Sequence, residues 1–74
     1  MEVLNNFERE VLNKLGVAVR MGYDHEVARV DNSEAIVTVF REGQRTWWVY
    51  SWVNNRRFTS RAEMFAWVLK LVAL

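Results

Sequence analysis

Residues 34–53, EAIVTVFREGQRTWWVYSWV, decide how this chain folds. Two runs of β-branched and aromatic residues flank Glu42-Gly43, which is strand chemistry with a turn in its middle. Taking Glu42-Gly43 as a two-residue hairpin loop, with Gly43 at positive φ, sets Val39 opposite Thr46, Val37 opposite Trp48 and Ala35 opposite Tyr50. Upstream, Asn32-Ser33 makes a second turn that pairs Val30 with Ala35 and Ala28 with Val37. Directly opposed residues share a face. The expected core face is then Ala28, Val30, Ala35, Val37, Val39, Thr46, Trp48, Tyr50 and Trp52. The other face carries Arg29, Ile36, Thr38, Phe40, Arg45, Trp47 and Val49, among others. A one-residue slip exchanges the faces, so the expected exposure of Trp47 rides on the loop assignment.

Working outward, residues 2–15 read as a helix with Leu4, Phe7, Val11 and Leu15 on its core stripe. Gly16 is placed to end that helix in a left-handed conformation, and Asn5 with Glu8 offers a capping box that would start it later. Residues 17–25 fit either a short strand or an extended connection. Beyond the aromatic run, Asn54-Asn55 is a turn signal and Arg56 to Phe58 fits a fourth, edge strand. Ser60 and Glu63 then cap a last helix over 60–73, with Met64, Phe65, Val68, Leu71 and Val72 facing inward. Trp67 and Leu74 widen its apolar arc beyond what one sheet covers. The expected fold is α+β, one domain over residues 1–74. A helix precedes a three-stranded antiparallel β-meander (about 26–31, 34–41 and 45–53, four-stranded if the edge strand forms), a second helix follows, and both helices pack on one sheet face.

A chain of 74 residues holds one domain and buries a modest core, which four Trp, four Phe and two Tyr must fill. The absence of Cys excludes disulfides, thiolate metal sites and Cys nucleophiles. His25, between Asp24 and Glu26, has no second His or Cys with which to share a metal. No serine lies in a nucleophile elbow, and the three glycines are isolated, so no phosphate-cradling loop is formed. The expectation is a protein with no catalytic residues, no cofactor and no metal. No basic and apolar leader opens the sequence, and the longest apolar stretch is broken by Lys70, short of the roughly 20 residues that span a bilayer. A cytoplasmic location without membrane association is expected.

The net charge of +1 conceals an uneven distribution: residues 1–42 hold eight acids and five bases, residues 43–74 one acid and five bases, giving −3 and +4. Two groups of residues are candidates for partner binding. Arg29, Arg45 and Trp47 share the expected open sheet face, and Arg56, Arg57 and Arg61 cluster before the last helix. A Trp among Arg side chains is the composition of a protein hot spot or of a base-stacking platform. Nucleic-acid binding draws much of its affinity from phosphate neutralisation, so a nearly neutral chain favours a protein partner. The leading expectation is a non-enzymatic protein-binding or inhibitor-type module, of the size that phages and mobile elements encode. Nucleic-acid binding through the same face and Arg56-Arg57 is the alternative. A homodimer through Trp67, Leu71 and Leu74 is the third expectation.

Two resemblances bear on the alternative. The order helix–strand–strand–strand–helix resembles the double-stranded-RNA-binding domain, whose last helix opens with a basic run; Ser60-Arg61-Ala62-Glu63-Met64 holds one base and one acid there. Arg56-Arg57-Phe58-Thr59, followed by Glu63 and Trp67, is similar to the strand-to-helix passage of phage integrase arm-binding domains. Both resemblances imply nucleic acid as the partner.

Overall fold

The computed structural model describes residues 3–22, 25–29 and 36–73, with the side chains of 3–20 and 36–73. Helix α1 (Asn6–Lys14) leads into strands β1 (Ala18–Gly22), β2 (His25–Arg29), β3 (Ile36–Gly43), β4 (Thr46–Tyr50) and β5 (Asn55–Phe58), and helix α2 (Arg61–Val72) follows. The strands pair in chain order, each antiparallel to the next. The α+β class and the meander are those the sequence predicts. The sheet is wider than its expected three or four strands, because Ala18–Gly22 and Asn55–Phe58 each add an edge. His25 opens β2 rather than lying in a loop. The Asn32-Ser33 turn, the Val30–Ala35 pair and Leu74 lie outside the described residues.

Helix α1 begins where its cap dictates. The Asn5 side chain accepts from the Glu8 N–H, and the Glu8 carboxylate accepts from the Asn5 N–H, both at 2.8 Å. Starting at Asn6 corrects the expected helix over 2–15 and its core stripe. Leu4 is fully buried from outside the helix, so its position no longer sets the phase. Glu8 and Leu12, one turn apart, face inward, while Phe7 and Leu15 are 69% and 58% exposed. The C-terminus closes as a Schellman motif: Val17 N–H donates to Leu12 O and Gly16 N–H to Asn13 O, with Gly16 at φ 81°. The motif packs Val17 beside Leu12 in the core.

Strands β2 and β3 pair as expected, with Ala28 opposite Val37. The β3–β4 hairpin does not. Val39 pairs with Val49, Phe40 with Trp48 and Arg41 with Trp47, and a bulge falls between Arg41 and Gly43. Gln44 and Arg45 form the turn, and Gly43, inside β3, has no positive φ. Relative to a Glu42-Gly43 loop the register moves by three residues. An odd shift exchanges the faces of β4. Trp47 and Val49 therefore join Val37 and Val39 in the core, while Trp48 and Tyr50 turn to the other side with Phe40. Trp52, placed by the sequence in the core, is half-exposed beyond β4.

Arg41 holds this turn from the helix side. Its Nε donates to Gly43 O at 3.0 Å, its Nη2 to Gln44 O at 2.9 Å, and its guanidinium lies 5.6 Å from the Trp47 ring centroid. Helix α2 closes the core with Met64, Val68, Leu71 and Val72, and Ser60 Oγ accepts from the Glu63 N–H at its start. The two helix starts are joined by an ion pair from Arg61 Nη1 to Glu8 Oε1, which lies on a carboxylate with a side chain only 4% exposed.

Candidate functional site: the open face of the sheet

Both helices cover the Val37–Val39–Trp47–Val49 side of the sheet, so the opposite side is where the chain presents side chains rather than burying them. Alternation along β3 brings Ile36, Thr38 and Phe40 to that side, and the register adds Trp48 and Tyr50 from β4 and Asn55 and Arg57 from β5. The aromatic rings lock one another in place. Tyr50 meets Phe40 edge-on at 5.3 Å between centroids and lies stacked on Trp48 at 6.0 Å. The result is a preordered aromatic strip with Ile36 and Tyr50 exposed.

The bulge supplies the polar end of the strip. Glu42 is the extra residue, unpaired in the ladder between Arg41 and Gly43. Its Oε2 accepts from Trp48 Nε1 at 3.1 Å and from Arg57 Nε at 3.5 Å. Glu42 thus fixes the indole and neutralises the Arg57 cation at the same time. Arg57 and Glu42 are each about half-exposed, so the pair forms a hydrated rim rather than a buried bridge. Beyond β4, Trp52 and Val53 add exposed apolar surface, and Ser51 Oγ, bonded to Asn54 O and to the N–H groups of Val53 and Asn54, shapes that turn.

The six candidate residues named from the sequence do not form one patch. Trp47 is 3% exposed and lies on the helix side, with the Arg61 guanidinium 5.1 Å from its ring centroid; the register shift put it there. Arg57 is on the open face, but its neighbour Arg56 projects the other way, over Phe58 and Trp67. Arg45 occupies the exposed β3–β4 turn. Arg29 is placed by its backbone alone, opposite Ile36. Of the residues expected to join two copies, Leu71 is 1% exposed and belongs to the core, and Trp67 is partly buried beneath Arg56.

Trp48 and Tyr50 are the site residues that the sequence reading assigned to the core. Two signals could have found them. Trp47 and Val49 carry no hydroxyl, whereas the set Thr46, Trp48 and Tyr50 has two, and a hydroxyl fits a wet face better than a core. The polar tetrad Glu42-Gly43-Gln44-Arg45 also has room for a longer loop with a bulge. Among the described residues no three His, Cys, Asp or Glu side chains converge as metal ligands, and no helix is long and apolar enough to cross a membrane. The chain matches no family model, no curated protein and no solved structure.

Proposed function

We propose that the chain is a non-enzymatic protein-binding module that docks a partner protein through Phe40, Trp48, Tyr50 and Ile36. The observation that carries this reading is the aromatic strip itself, left uncovered by both helices and held rigid by its ring contacts. Aromatic side chains fixed before binding bury large areas at small entropic cost, which is the usual make-up of hot spots. The rim supports a protein partner over nucleic acid. Arg57 is engaged by Glu42, and Arg56 lies on the other side of β5, so the basic pair does not present two phosphate contacts beside the rings.

The test is affinity capture from an extract of the encoding organism, comparing wild type with the double variant Trp48→Ala/Tyr50→Ala after both give the same circular dichroism. A protein recovered with wild type and lost with the double variant is expected. Equal recovery with both proteins removes this face from the proposal. Recovery of nuclease-sensitive material in place of a protein would transfer the assignment to nucleic acid.

A further inference from the structure

On the helix side, β5 and α2 flank a shallow, open hollow of about 370 Å³ lined by Arg56, Phe58, Glu63, Ala66, Trp67 and Lys70. We propose that it binds a monocarboxylate carried on an apolar body, a site separate from the aromatic strip. Arg56 sits between two rings, 5.0 Å from the Phe58 centroid and 4.7 Å from that of Trp67, and Lys70 Nζ lies 5.8 Å from the same indole. Neither cation has a carboxylate within ion-pair distance among the described residues. Two cations therefore meet at one aromatic wall, neither of them with a carboxylate partner among the described residues.

Charge and shape narrow the ligand. Arg56 and Lys70 against Glu63 leave the ionisable lining at +1, which matches a single carboxylate; a phosphate dianion would overcompensate it beside Glu63. The planar guanidinium takes a carboxylate through two parallel hydrogen bonds, and its position on the rings limits the freedom lost on binding. Phe58, Ala66 and the Trp67 ring supply the apolar surface for the rest of the molecule. The volume lies at the small end of the roughly 300–1,000 Å³ of ligand pockets, the size of an aryl acid or of one terminal apolar residue.

Two sources share this chemistry: a free aryl or acyl acid, and the C-terminal residue of a peptide. The experiment titrates ¹⁵N-labelled protein with phenylacetate, with its neutral analogue phenylacetamide, and with N-acetylglycyl-phenylalanine as free acid and as amide, at constant ionic strength. Saturable shifts of the Trp67 indole and Arg56 side-chain resonances are expected with the acids and not with the amides. Arg56→Gln/Lys70→Gln should abolish them while the core resonances keep their positions. Glu63→Gln should tighten binding by about threefold by removing one like charge. The tighter of the two acids identifies the source. No saturable shift with either acid, equal binding of the amides, or unchanged binding by the double variant would overturn the proposal. The open-face residues take no part in this experiment, so its failure leaves the protein-binding reading standing.

Discussion

Trp47 and Trp48 are neighbours in sequence and opposites in role. Trp47 is walled in by the core and by the Arg41 and Arg61 guanidinium groups, while Trp48 stacks on Tyr50 and donates to Glu42 in the open. Trp47→Ala should therefore cost about 3–5 kcal/mol in denaturant unfolding, enough to unfold most molecules of so small a domain. Trp48→Ala should cost about 1 kcal/mol, the scale of one aromatic pair and one partly exposed hydrogen bond. A second prediction concerns Glu8. It accepts from the Asn5 N–H and from Arg61 while almost wholly buried, so Glu8→Ala removes a cap and strands a cation in one step. The loss should be about 2–3 kcal/mol, against about 1 kcal/mol for Asn5→Ala, both measured by urea unfolding. At this scale the capping pair was legible, because Asn-x-x-Glu is a local pattern. The reach of Glu8 to Arg61, 53 residues away, has no local signature.

At the scale of elements, ends written in short motifs were legible, and of the two pairings read from a loop one held and the other did not. Gly16 ends α1 as its position predicts, and Ser60 starts α2. The β2–β3 register was read from the Asn32-Ser33 turn, and the Ala28–Val37 pair it predicts is the one that forms. The β3–β4 register failed by an odd number because Gly43 invites a turn at Glu42-Gly43, whereas the turn falls two residues later, at Gln44-Arg45, where Arg41 holds the Gly43 and Gln44 carbonyls, and the bulge at Glu42 takes back one place. The two edge strands were the least legible, since short segments with polar residues resemble connections until a neighbour pairs with them. The glycines make a test of this scale. Gly16→Ala should lose about 1–2 kcal/mol, the cost of a left-handed L-residue. Gly43→Ala should stay within about 0.5 kcal/mol, since an added Cβ meets nothing within 4 Å. If Gly43 were the positive-φ pivot of a two-residue turn, the two costs would be alike.

For the whole molecule, the consequence of that register is which side faces outward. The helix side holds the core and the hollow at its β5–α2 margin, and the open side holds the rings. The sequence reading expected Arg29, Arg45 and Trp47 on one open face; the register instead brings Trp48 and Tyr50 there and puts Trp47 in the core. A complex formed through the open face should lose less than about tenfold in affinity between low and physiological salt, whereas a phosphate-dominated complex making six to ten contacts loses roughly 10³–10⁵. Titration calorimetry at the two salt concentrations checks this once the captured partner is in hand. The division of the molecule can be measured without a partner. A soluble gadolinium chelate broadens resonances in proportion to their exposure, and the indole N–H protons report all four tryptophans in one spectrum. The fold described here predicts broadening of Trp48 and Trp52, with Trp47 spared. Broadening of Trp47 with Trp48 protected would contradict it and would move the binding face to the other side of β4.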